Sequence, residues 1–76
     1  MKNLTWTYRV VRRKIDKDYT YGIHEVYGGK KKISITVEPC WPLGDSWGEL
    51  YSDMEAFVKA LKLPVLDYET LSELKG

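Results

Sequence analysis

Pro39-Cys40-Trp41-Pro42-Leu43-Gly44-Asp45-Ser46-Trp47-Gly48-Glu49-Leu50-Tyr51 is the stretch in which the chain stops reading as strand and starts reading as helix. Pro39 and Pro42 each lack a backbone donor, so sheet pairing ends there and residues 38–45 are expected to connect a strand to a helix. Ser46 followed three residues later by Glu49 is a capping box, in which each side chain satisfies a backbone donor left unpaired by the first helical turn. Beyond it Trp47, Leu50, Tyr51, Met54, Phe57, Val58 and Leu61 recur at three- and four-residue spacing, along one side of a helix from about Trp47 to Lys62. Such a side is expected to cover a sheet. Pro64 cannot extend the helix and holds Leu63 extended, and Asp67 is placed to cap a short last helix from about Tyr68 to Lys75.

Upstream, Leu4, Trp6, Tyr8 and Val10 alternate with Thr5, Thr7 and Arg9, the period of two expected of a strand with one wet face. After a polar turn at Asp16-Lys17-Asp18, a second strand runs from Tyr19 to Tyr27. Gly28-Gly29-Lys30 then supplies a second turn, and Ile33, Ile35 and Val37 alternate with Lys32, Ser34 and Thr36 in a third strand. Short polar turns pair consecutive strands antiparallel. The expected architecture is α+β: a three-stranded antiparallel meander, one long helix packed on one face, and a short C-terminal helix or tail. Residues 1–76 form a single β-β-β-α domain in this reading. Trp6, Tyr8, Val10, Tyr21, Ile23, Ile33, Ile35 and Val37 are expected under the helix, leaving Thr5, Thr7, Arg9, Thr20, His24, Lys32, Ser34 and Thr36 on an open face. Glu25 and Val26 fit either register of the second strand, and one residue of slip would invert it.

Seventy-six residues allow one core, and ten aromatic side chains supply large buried areas to it. A net charge of +1 provides no global field to draw nucleic acid or an anionic membrane. Cys40 is the one cysteine, so no internal disulfide forms. With no secretory segment and no apolar run near the ~20 residues that cross a bilayer, the expected location is cytoplasmic, away from membranes.

Catalytic candidates are few. His24 and Glu25 are neighbours on a strand, so their side chains point to opposite faces and do not form an acid–base pair. Cys40 has nothing nearby in sequence to lower its pKa. One histidine and one cysteine do not make a metal site, and Gly28-Gly29-Lys30-Lys31-Lys32 precedes a strand where a phosphate-binding loop would precede a helix. The expectation is a protein that is not an enzyme, with no catalytic residue, no metal and no cofactor. Two binding readings are left. A meander has two exposed edges, so dimerisation through strand one or strand three, or strand addition by a partner, would use backbone groups such edges expose. Trp41, stiffened by its flanking prolines, then serves as an anchor, with Arg9, Arg13, His24, Lys30, Lys31 and Lys32 as further contacts; the alternative role for Trp41 is a lid over the core. The second reading is single-stranded nucleic acid held by the basic hairpin and stacked on Trp6, Tyr8, Tyr19, Tyr21 and Tyr27, though alternation places Trp6 and Tyr8 under the helix.

The third strand, the loop Glu38-Pro39-Cys40-Trp41-Pro42-Leu43-Gly44-Asp45-Ser46 and then Leu50, Met54, Phe57 and Leu61 resemble the HicB-type antitoxin domain. That domain is a partial ribonuclease-H-like β-β-β-α unit of small bacterial and phage proteins, with a proline-rich loop closing in Gly-Asp-Ser/Thr before an amphipathic helix. The resemblance covers Tyr19 to Leu61, and the loop departs from the family in that Pro39 is followed directly by Cys40 instead of by Gly-Cys. The first strand and Tyr21-Gly22-Ile23-His24-Glu25-Val26-Tyr27 also resemble short bacterial proteins that bring no activity with them. The antitoxin resemblance implies a protein that binds a toxin nuclease and blocks its active site; the expected partner of this chain is a nuclease or another bacterial or phage defence component. The resemblance implies no nuclease activity, since strand one has no Asp to hold the metals of the parent fold, and autoregulation by DNA binding is not expected from it.

Overall fold

Thr5–Ile15 forms β1 and Asp18–Gly28 forms β2, an eleven-residue antiparallel hairpin whose β-branched and aromatic residues suit a pleated, half-buried ribbon. Asp16 makes the turn at φ 56°, a left-handed conformation that aspartate tolerates better than most residues. The computed structural model describes residues 5–28 and 33–74, so Lys30, Lys31 and Lys32 lie outside the described residues. Ile33–Ile35 forms β3, antiparallel to β2, with Ile35 opposite Val26. The chain then leaves regular pairing but stays beside β2, since Thr36 and Cys40 donate backbone bonds to the carbonyls of Glu25 and Ile23.

Trp47–Leu61 forms α1, close to the bounds expected from its periodicity. The chain returns as β4, Leu66–Asp67, parallel to β1, and a turn leads to β5, Ser72–Glu73, antiparallel to β4. The sheet is therefore mixed and five-stranded, in the order β3-β2-β1-β4-β5, and it curls. Two expectations are corrected here. The segment after Asp67 makes a turn and a strand, not a helix: Asp67 caps the turn through the amide of Glu69, and Leu71 at φ 58° ends any helical course. Strand one is not an edge along its whole length, because β4 pairs with it at Val11 and Arg12 on the side away from β2, so its backbone there is not free for pairing with another chain.

Register divides the side chains of the sheet. Trp6, Tyr8 and Val10 stand opposite Tyr27, Glu25 and Ile23, and Tyr8 meets Phe57 of α1 with ring centroids 4.6 Å apart. This is the helix side, as the alternation requires. Ile33 and Ile35 are not on it. They pair with Gly28 and Val26, which face the other way with Val11 and His24. There the curl draws Val11, Val26 and Leu66 into one buried cluster, with Ile33, Ile35 and Tyr68 packed against it. The face expected to be open is the main core, because a curled sheet can close on its own concave side without a second layer.

The helix side is thinner. Within α1 only Ala60 is fully buried, and Ala56, Phe57 and Asp53 are half-buried toward the sheet. Trp47, Tyr51, Met54, Val58 and Leu61 are exposed, Trp47 to 76% and Leu61 to 65%. The side of the helix richest in apolar residues thus faces away from the sheet it was expected to cover. Where β1 meets β4, Arg12 and Asp67 form an ion pair at 3.0 Å, and that guanidinium together with the amide of Glu69 holds the Asp67 carboxyl below its usual range.

Candidate interaction surface

The loop between β3 and α1 rests on the first turns of the helix because Gly44 brings its backbone against them. A Cβ built at Gly44 would lie 2.3 Å from the backbone nitrogen of Leu50. Ser46 caps the helix by accepting from the amide of Glu49 at 3.1 Å, and Glu49 reaches back one residue further than a capping box requires, accepting from the amide of Asp45 at 2.9 Å. Asp53, one turn on, has one carboxylate oxygen on the amide of Leu43 at 3.0 Å and the other on the Tyr8 hydroxyl at 2.8 Å. One side chain therefore ties loop, helix and sheet together. Nothing in the hydrophobic periodicity drew attention to Asp53; the usable signal was an acid on the arc of α1 that also carries Ala56, Phe57 and Ala60.

Between loop, helix and sheet lies an open cleft of about 920 Å³ lined by Tyr8, Glu25, Cys40, Trp41, Glu49 and Asp53, among others. Glu25 accepts a short hydrogen bond from Tyr27. Burial and the Asp53 carboxylate push the Tyr8 phenol up to about 12. Burial, with the carboxylate of Glu25, likewise raises the Cys40 thiol, which keeps it away from the thiolate that nucleophilic chemistry needs.

The Tyr8 environment gives a measurable outcome. A phenol whose folded-state pKa is raised favours the folded state below pH ~10, and that contribution is lost as pH climbs toward 12. Tyr27 is shifted in the same direction by Glu25. In a spectrophotometric titration of the six tyrosines, Tyr8 and Tyr27 are expected to ionise late, and Tyr8→Phe to remove one late phenol. A Tyr8→Phe titration whose late fraction matches the parent would count against the Tyr8–Asp53 bond.

The residues singled out from sequence do not converge. Trp41 is 67% exposed at the rim of the cleft, so its ring is not a lid. His24 is only 3% exposed, on the concave face, with Nδ1 donating to the carbonyl of Thr36 at 2.8 Å and Tyr68 nearby. Arg9 lies on that same face and donates to the Pro64 carbonyl at 2.6 Å and to Glu73 at 3.2 Å. Arg13 donates to the Val37 carbonyl at 3.0 Å and stacks over the Tyr68 ring. The expectation that Arg9 and His24 stand on an open face is thereby corrected, and Arg13, expected as a further contact, is engaged on the same side: alternation gave the right side of the sheet, but the curl and the returning C-terminal strands fill it. Lys30, Lys31 and Lys32 lie outside the described residues, and the remaining member of the set, Trp41, sits on the opposite side from the two arginines.

What the surface does present is apolar. Trp41 and Leu43 in the loop and Trp47, Tyr51, Met54, Val58 and Leu61 along α1 are all exposed, and Trp47 stacks on Tyr51 at 5.5 Å. Among the described residues no group of His, Cys, Asp and Glu is arranged to hold a metal ion, and no helix is long and apolar enough to cross a membrane. Comparison with protein families, with curated protein sequences and with solved structures finds no match to this chain.

Proposed function

We propose that the protein is a small non-enzymatic protein-binding module that acts by contact, occluding a partner in the way expected of the antitoxin domains it resembles. The observation that carries this reading is the outward apolar side of α1 with the Trp41 loop beside it. Exposed apolar surface of this extent on a small domain marks an interaction site, and large aromatics presented on a rigid element are the usual anchors. The rigidity comes from the Gly44 contact, the Ser46 cap and the Asp53 bridge, which hold the loop to helix and sheet. The partner sought is a nuclease or another bacterial or phage defence component, and the setting is the cytoplasm.

The test is recovery of the tagged chain from its host at mild salt. A stoichiometric protein is expected with the parent and with Tyr21→Ala, and at least a tenfold loss with Trp41→Ala, the order of effect of removing an aromatic anchor. Absence of any protein partner, or equal recovery with Trp41→Ala, overturns the reading.

A nucleic-acid module is the second reading, and one observation favours it. Tyr19 and Tyr21 are exposed at the end of the hairpin, beside Arg12, whose guanidinium lies 4.0 Å from the Tyr19 ring, and Lys14. Binding to short RNA or DNA that falls steeply with salt, and is lost on reversing the charges of Lys30, Lys31 and Lys32, would favour that reading over protein contact.

A further inference from the structure

The exposed residues of α1 follow a pattern that is more specific than exposure alone. Trp47, Tyr51, Met54, Val58 and Leu61 are spaced four, three, four and three residues apart, the alternation that lines one helix up against another. Among the described residues there is one helix, and its sheet-facing arc is a different one, made of Asp53, Ala56, Phe57 and Ala60. We infer that the occupant of the outer stripe is a second copy of this chain, packed antiparallel through α1, helix to helix, with the two sheets outermost. The inference rests on the reading of this surface as a protein-binding one and names what one part of it binds.

Three observations select a second copy over an unrelated partner. The first is symmetry. A two-fold axis passing beside Met54 sets Trp47 against Leu61 of the other copy and Leu50, 39% exposed at the border of the stripe, against Val58, so each of these pairs recurs on both sides of the axis. A two-fold interface demands this self-complementarity, and a heterologous partner does not. The second is charge. Asp45 and Glu49 belong to the first turn of the helix and its approach, Glu55 lies just past its middle, and Lys59 and Lys62 belong to its end. Antiparallel pairing places the basic end of each helix beside the acidic end of the other and opposes their dipoles favourably, whereas parallel pairing sets like against like. The third is area. The five side chains of the stripe together with Leu50, exposed between 39% and 76%, present on the order of 600 Å² of surface, at the upper end of the patches that monomers tolerate and approaching the ~800 Å² per partner of a stable interface.

The same geometry accounts for the hydrophobic periodicity. The residues that alternation and spacing assigned to the inside of the domain would be inside the dimer. It also replaces the strand-edge dimer expected from the meander, since β4 occupies the outer side of β1 at Val11 and Arg12 and the edge strands β3 and β5 have three and two described residues. Trp41, on the loop beside the first turns of the helix, is not a member of the stripe, and it keeps its role as the anchor for a different protein.

Light scattering behind a sizing column, at about 100 µM so that even a ~10 µM pair is populated, is expected to return twice the 8.9 kDa of the chain. Val58→Glu places a charge in the stripe and is expected to weaken the pair at least tenfold with an unchanged circular dichroism spectrum. Orientation is read by oxidation in a Cys40→Ser background. Met54→Cys lies at the axis and is expected to form a disulfide dimer. Trp47→Cys is not, because an antiparallel pair separates the two Trp47 positions by about 21 Å along the helix. A chain that stays monomeric, a dimer indifferent to Val58→Glu, or equal cross-linking at both positions overturns the proposal. A monomer that still captures a protein through Trp41 sinks the self-pairing alone, and a dimer that captures none sinks the partner-binding reading alone.

Discussion

Leu66→Ala is expected to cost about 3 kcal/mol, a large part of what a 76-residue domain has to spare. Leu66 is 3% exposed and sits on the two-residue β4, where it stands opposite Val11, whose side chain is completely buried. Truncating it opens a cavity in the concave face between Val11, Val26 and Tyr68. The strand is too short for its backbone bonds to hold β4 against β1 once that contact is gone. With it would go the Arg12–Asp67 ion pair and the Tyr68 amide bond to the Arg12 carbonyl, which keep the C-terminal strands in place. Denaturant unfolding followed by tryptophan fluorescence gives the number. The informative contrast is Leu61→Ala, measured in the Val58→Glu background so that association does not contribute. Leu61 fits the helical periodicity as well as any residue in the chain, yet it is 65% exposed, and its truncation is expected to change stability by no more than about 0.5 kcal/mol. If the two truncations cost the same, the core does not lie on the concave face.

Gly44→Ala is the second large effect, expected at about 2–4 kcal/mol. The new methyl carbon would fall 2.3 Å from the Leu50 nitrogen and 2.7 Å from the Glu49 carbonyl carbon. Both are backbone atoms inside the first turns of a helix, so neither can swing aside as a side-chain tip would. The loop has to lift instead. Lifting it breaks the Leu43–Asp53 and Asp45–Glu49 hydrogen bonds, and the magnitude combines the usual cost of overpacking with that of a lost cap. The loop would also release Trp41, so recovery of a partner is expected to fall alongside stability. Thermal or denaturant unfolding with Gly44→Ala as stable as the parent would show that the loop does not rest on α1 as described.

How much of this was legible beforehand varies by element for identifiable reasons. The first hairpin was readable because Thr5–Ile15 and Asp18–Gly28 alternate around a polar turn, and pairing of neighbours in sequence needs no long-range information. The helix was readable because Ser46 and Pro64 bracket a run of helical period. The split between β2 and β3 was not. In isolation Ile33-Ser34-Ile35 alternates equally well with either face inward, and the choice is made by which residue of β2 stands opposite Ile35. The C-terminal strands were hidden for a related cause. Two-residue strands carry no periodicity, and Asp67 followed by Tyr68-Glu69-Thr70-Leu71 reads locally as a helix start until the parallel pairing with β1 claims Leu66 and Asp67. In the candidate surface, Trp41 was legible from its prolines. Asp53 was not, because its two hydrogen-bond partners, Leu43 and Tyr8, come from a loop and a strand that only the folded chain brings together.

By itself the amino-acid order determined what is local: the hairpin, the cap and extent of the helix, the sides to which Trp6, Tyr8 and Arg9 point, and the position of a stiff aromatic loop. Tertiary structure alone decided which side of the sheet is the core and which arc of the helix is left facing outward. The reason is physical. A period of two or of 3.6 says that a face is apolar but carries nothing about what covers it, and here the curl of the sheet covers one face from within while leaving the helix stripe exposed.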